Sequence, residues 1–171
     1  MWSYLKQLVG NGTAATIGIF AFIILLSLAM CHSAKAGEID LRAGSSFGTQ
    51  GTGPVLGLQV RAPLAGFDQV NLFAGTLLWG STRYNNATVP SNWDWHGGIE
   101  GCHGALCAAI GATYLQRIDA INGAHTNFML QLSYRFNWGR FASIDIAHIS
   151  DAGTTPVNIG RQAVLGSFRL Q

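Results

Sequence analysis

From Glu38 to Leu170 the chain alternates apolar and polar residues in eight successive segments, with no long apolar run among them. Side chains point to opposite faces along a strand, so each segment reads as a strand with one apolar and one polar face. In the first, Ile39, Leu41 and Ala43 oppose Glu38, Asp40 and Arg42; in the second, Leu56, Leu58 and Val60 oppose Gly57, Gln59 and Arg61. Strands are expected over Glu38–Ser46, Val55–Ala62, Val70–Trp79, Trp93–Gly101, Ala108–Arg117, His125–Phe136, Arg140–Ser150 and Gln162–Leu170. Loops after the odd-numbered strands are mostly longer and more polar, and those after the even-numbered strands are short. An even number of strands with this asymmetry predicts an all-β fold, an eight-stranded antiparallel up-and-down transmembrane β-barrel with short periplasmic turns. Eight strands leave an interior just wide enough to be filled by side chains, so no pore is expected. Asp40, Arg42, Arg61 and Asp145 are expected to pair inside it. The rival fold is a soluble periplasmic sandwich.

The segment before Glu38 is of another kind. Lys6 supplies a positive start, Ala14 to Met30 is apolar, and Ala34-Lys35-Ala36 has the small-x-small pattern of a signal-peptidase site. Residues 1–36 are therefore expected to be a cleaved signal peptide and residues 37–171 the barrel. An uncleaved anchor is the alternative, since the apolar run is nearly long enough to span a membrane. A lipid-modified Cys31 fits less well, because Met30 is large for the preceding position.

Beyond residue 36 eight arginines balance eight acids and no lysine remains. No basic patch points to nucleic acid. Charged residues are 11% of the chain, against roughly a quarter in soluble domains. Trp79, Trp93 and Trp95 are expected in an outer aromatic girdle, with Phe136 and Trp138 at the inner one. Cys102 and Cys107 bracket a hairpin-sized turn and read as a disulfide in an exported protein. A metal site built from Cys102, His103 and Cys107 is the weaker reading. His96, His103 and His125 have no second ligand at a recognisable metal spacing.

The chemistry concentrates between Ser143 and Gln162. His148 and Ser150 lie two residues apart at the end of a strand, hence on one face. Ala142, Ile144 and Ile146 share that face, and Ser143 and Asp145 lie on the other. A histidine beside a serine is half of a nucleophilic device. Its position on the apolar face places it toward lipid in a barrel, near the long-loop end. Without further signal, such a pair at a barrel rim reads as ordinary interface residues.

His148-Ile-Ser150-Asp151-Ala152-Gly153, followed by Asn158-Ile-Gly160-Arg-Gln162, resembles the signature of the PagL-type lipid A 3-O-deacylases, the acyloxyacyl hydrolase-like outer-membrane barrels. The spacing fits without a gap over fifteen positions. The resemblance implies an outer-membrane hydrolase that removes the ester-linked acyl chain at position 3 of lipopolysaccharide lipid A. Ser150 would be the nucleophile and His148 its base. The family's orienting acid falls on Gln162, and its oxyanion donors on Asp151 and the Gly153 amide. Asn158 and Gly160 complete the substrate-binding set. No cofactor or metal is implied; the partners are lipid A and outer-membrane lipids, with a homodimer left open. Two positions depart from the signature: glutamine stands for its glutamate and Asp151 for its asparagine. Losing a triad carboxylate can lower the rate by on the order of 10⁴ while geometry survives. An ionised Asp151 beside a developing oxyanion would repel it. The alternative function is a non-catalytic barrel of the same fold that binds lipopolysaccharide or masks a surface receptor.

Overall fold

The computed structural model describes residues 37–48, 51–156 and 158–170. The expected leader, residues 1–36, lies outside the described residues. The strands are β1 Glu38–Phe47, β2 Pro54–Pro63, β3 Val70–Trp79, β4 Thr82–Tyr84, β5 Ala87–Val89, β6 Asn92–His103, β7 Leu106–Leu115, β8 Thr126–Trp138, β9 Phe141–Ser150 and β10 Arg161–Arg169. Eight of them close an antiparallel barrel in the order β1-β10-β9-β8-β7-β6-β3-β2. Each pairs with its neighbours in the chain, and β1 closes on β10 with Asp40 opposite Arg169 and Phe47 opposite Gln162.

The alternation sorts side chains between two environments. Leu56, Ile110, Leu130, Leu132 and Ile146 are exposed on the outer wall. Asp40, Arg42, Gln59, Arg61, Glu100 and Asp145 are buried inside. The interior also holds an apolar cluster that includes Phe73, Leu77, Trp79, Met129, Ile149 and Leu165, so it is filled by polar and apolar side chains together, while the outer wall is apolar and suits contact with lipid.

The interior charges are paired, as buried charges must be. Arg42 lies 3.1 Å from Asp145 and donates to Gln59 and Gln131 at 2.5 and 2.9 Å. Arg61 bonds Asp40, and its Nε is 3.4 Å from Glu100. Asp145 also accepts from Ser143 and Ser167, at 2.8 and 2.5 Å. Asp94 gathers His96 Nδ1 and Trp79 Nε1, both at 2.6 Å.

Four details differ from the sequence expectation. Trp79 is buried in the barrel rather than in a girdle, because it shares the inward parity of Phe73 and Leu77 along β3. Trp93 and Trp95 do face outward, and Trp138 is exposed near the opposite end. The loop after β3 contains the β4–β5 hairpin, turning at Asn85 and Asn86 with φ of 47° and 64°. Asparagine tolerates this left-handed pair, which matches the twist of a tight hairpin. Cys102 and Cys107 are bonded cross-strand partners inside β6 and β7, so the turn is shorter than the span they bracket. Ala142 is buried, next to the point where the β8–β9 register shifts between Arg135 and Trp138.

Candidate active site

The site forms where β9 ends and β10 begins, at the end of the barrel that carries the long loops. His148 and Ser150 are half-buried on the outer wall, following exposed Ile144 and Ile146. The antiparallel register sets Gln162 of β10 opposite His148. Its Nε2 lies 3.2 Å from His148 Nδ1. On the other side β8 places Leu130 opposite His148 and Phe128 opposite Ser150. Phe47 of β1 stands opposite Gln162. A small polar cluster is thus walled by apolar side chains on both flanks.

The loop from Asp151 to Gly160 brings the two strands together. Asp151 is buried, and its carboxylate accepts the Gly153 N–H at 3.0 Å and the Thr155 hydroxyl. Its carbonyl accepts the Thr154 N–H at 3.1 Å. Ala152 and Gly153 both have left-handed backbone, with φ of 55° and 78°. Asn158 Oδ1 accepts the Asp151 N–H at 3.1 Å. Two of the four residues expected to bind an oxyanion or substrate therefore have their amides engaged within the loop, Asp151 with Asn158 and Gly153 with Asp151.

Gly160 is the floor of the cluster. A methyl group there would lie 2.8 Å from His148 Cε1, 2.8 Å from the Ile149 carbonyl oxygen and 3.3 Å from Ser150 Cβ. Its φ of 75° disfavours any other residue as well. Glycine is required here on both counts, and its lack of a side chain lets the His148 ring and Ser150 converge.

No hydrogen bond joins His148 to Ser150 among the described residues. The Gln162 amide nitrogen facing Nδ1 can only donate. In that orientation Nδ1 is the acceptor and the ring proton sits on Nε2. A half-turn of the amide would present its oxygen instead. Nδ1–H would then donate, leaving Nε2 free as a base. Either amide orientation fills the same volume, so hydrogen bonding decides between them.

Below the cluster, an apolar groove of about 750 Å³ runs along the outer wall, lined by Leu106, Ala108, Leu132, Tyr134, Ile144 and Ile146 among others. Ile146 and Ile144 precede His148 on the same outward face, so the groove continues the line of the site toward the short-turn end. The disulfide Cys102–Cys107, in the β6–β7 hairpin, lines that far end of the groove, away from the cluster itself.

Sequence reasoning missed the support from the loop joining β7 to β8. The Ile121 carbonyl accepts the N–H groups of Ile159 and Gly160 at 3.1 and 3.4 Å. Asn122 forms a bridge with Asn158. The sequence signal is the Asp119-Ala120-Ile121-Asn122 turn, whose aspartate bonds its own backbone.

No protein-family model and no curated protein matches the chain. Among solved structures, the crystal structure of the outer membrane enzyme PagL is similar with a TM-score of 0.54 and 16% identity, over 77% of this chain and 97% of that one. The backbone structure of the Yersinia pestis outer membrane protein Ail in a phospholipid bilayer nanodisc aligns with a TM-score of 0.47 and 12% identity, over 78% of this chain and 99% of Ail. The likeness to the first is one of fold, an eight-stranded barrel.

Proposed function

We propose that the protein is a bacterial outer-membrane serine esterase that hydrolyses the 3-O-linked acyl chain of lipid A from the lipid-facing wall of its barrel. The observation that carries this reading is the meeting of His148 and Ser150 over Gly160, on the outer wall, with Gln162 on the other side of the His148 ring at 3.2 Å from Nδ1. A lipid ester at the membrane interface can reach such a site without leaving the bilayer. Ser150 Oγ attacks the ester carbonyl while its proton passes to His148 Nε2. The tetrahedral intermediate expels the sugar hydroxyl, which takes the proton from His148. Water, activated by the same ring, then releases the fatty acid and restores Ser150. The groove beneath the site, apolar along Ile146 and Ile144, suits a hydrocarbon chain.

This mechanism needs the Gln162 amide oxygen on Nδ1, so that Nε2 is free. A neutral amide holds the tautomer but does not stabilise the imidazolium, and a slow enzyme is the expected result.

A second reading has its own support. His148 and Ser150 are not hydrogen-bonded, and the Gly153 N–H is taken by Asp151. Those features suit a barrel of the same fold that binds lipopolysaccharide or masks a surface receptor without reaction. Mass spectrometry of lipid A from cells expressing the chain, beside Ser150→Ala, tests the two. Loss of one hydroxyacyl mass in wild type and not in the variant supports the esterase. An unchanged spectrum in wild type supports binding alone.

A further inference from the structure

The β7–β8 loop contains a carboxylate that the chemistry above leaves unused. Asp119 Oδ1 accepts the backbone N–H groups of Ile121 and Asn122 at 2.9 and 3.1 Å. Its Oδ2 accepts Asn92 Nδ2 at 3.1 Å and the Arg161 guanidinium. Four donors fill the capacity of one carboxylate. They come from three places: the loop's own backbone, the start of β6 and the start of β10. Asn92 is buried and clasps the same loop a second time, donating to the Arg117 carbonyl at 2.8 Å and accepting the Arg117 N–H at 3.1 Å.

We propose that Asp119 is a positioning residue for the His148–Ser150–Gln162 site, an inference that rests on the esterase reading. It acts along two routes. In the first, the turn that Asp119 closes aims the Ile121 carbonyl at the N–H groups of Ile159 and Gly160. That contact holds the left-handed Gly160 against the His148 ring and Ser150. The same turn sets Asn122 against Asn158, whose side chain holds the Asp151 N–H next to Ser150. In the second, Arg161 is drawn inward by its ion pair with Asp119 and stacks 5.6 Å from the Trp79 ring centre. Its neighbour Gln162 is thereby directed outward, onto His148. Both routes start at one buried carboxylate, through its Oδ1 in the first and its Oδ2 in the second, and end on residues that touch the reacting groups. Asp119 itself touches none of them.

The role is separable from general stability, because the eight-stranded ladder does not pass through Asp119. Full-length Asp119→Ala, Asp119→Glu and Asn92→Ala proteins are compared with wild type in lipid nanodiscs. Heat-modifiable gel migration reports the barrel, and amide hydrogen exchange at Ile159 and Gly160 reports the route. Lipid A deacylation kinetics report the site. Removing the support is expected to raise exchange at both amides by about five-fold, the effect of one lost hydrogen bond of about 1 kcal/mol. For Asp119→Ala, kcat is expected to fall by at least as much with KM unchanged, while Asp119→Glu recovers part of it. Unchanged exchange in a folded Asp119→Ala overturns the proposal, as does a rise in KM with kcat preserved. Should Asp119→Ala fail to form a barrel, Asn92→Ala decides on the same readouts. A wild type without deacylation would refute the esterase reading alone; exchange at Gly160 would still decide whether Asp119 positions this loop.

Discussion

Gln162 meets His148 through a neutral amide, Nε2 to Nδ1 at 3.2 Å, across the last antiparallel pair of the barrel. The position is one where a carboxylate would accept Nδ1–H outright and stabilise the imidazolium. Gln162→Glu changes only that. It is expected to raise the rate of lipid A deacylation by up to about 10⁴, read as loss of one hydroxyacyl mass in lipid A from expressing cells. A rate unchanged from wild type would mean that the histidine's orientation does not limit the reaction.

Asp151 holds the second lever. Its carboxylate occupies the Gly153 N–H and bonds Thr155, so a negative charge sits one residue from Ser150. Asp151→Asn keeps an oxygen for the Gly153 amide and removes the charge. The expected outcome is faster deacylation, on the order of ten-fold or more if an oxyanion forms near this turn, with the gain in kcat. The double variant Asp151→Asn/Gln162→Glu should exceed either single change, measured by the same mass spectrometry.

How far the sequence could be read depended on whether a feature is local. Strand parity is local, so the interior partners Asp40, Arg42, Arg61 and Asp145 were legible from alternation alone, and all four are paired in the barrel. The placement of His148 and Ser150 on the outward face follows from the same rule. Trp79 was misplaced because its residue type suggested a girdle, whereas its parity with Phe73 and Leu77 set it inside. The β4–β5 hairpin was missed because three-residue strands carry too little alternation to register. The meeting of Ile121 with Gly160 joins residues 39 apart and depends on how two loops fold over the rim, which no periodicity reports.

Gly160→Ala tests the floor of the cluster. The added methyl would meet His148 Cε1 and the Ile149 carbonyl oxygen at 2.8 Å, on a backbone with φ of 75°. The left-handed backbone alone costs about 1–2 kcal/mol for a residue with a side chain. Gly160 precedes β10 and lies outside the eight-stranded ladder, so the strain falls on the site and not on the strand pairing. Heat-modifiable migration is expected to survive and deacylation to fall at least ten-fold. Retained activity would show that the ring does not need to lie over residue 160.

The disulfide provides the opposite pattern. Cys102 and Cys107 are cross-strand partners joined at a sequence separation of 5, so the bond closes a very short loop. Chain entropy for so short a loop gives about 2 kcal/mol of stabilisation. Cys102→Ser/Cys107→Ser is expected to lower the unfolding midpoint by that amount or less, measured in denaturant with lipid vesicles. His148, Ser150 and Gln162 lie at the other end of the barrel, so kcat should be unchanged; the two cysteines line the end of the groove proposed for the acyl chain, so any effect on deacylation is expected in KM.

Arg42 and Asp145 are both fully buried and lie 3.1 Å apart at the centre of the interior network. Among the described residues, Asp145→Ala leaves the Arg42 guanidinium with the two glutamine oxygens as its hydrogen-bond partners and frees the hydroxyls of Ser143 and Ser167. An uncompensated buried charge costs about 3–5 kcal/mol. Arg42→Met/Asp145→Ala removes the charge together with its partner, so its destabilisation should be smaller than the sum of the single changes. The double-mutant cycle in denaturant measures the difference. Additive losses would mean that the two residues are held by their other partners and not by each other.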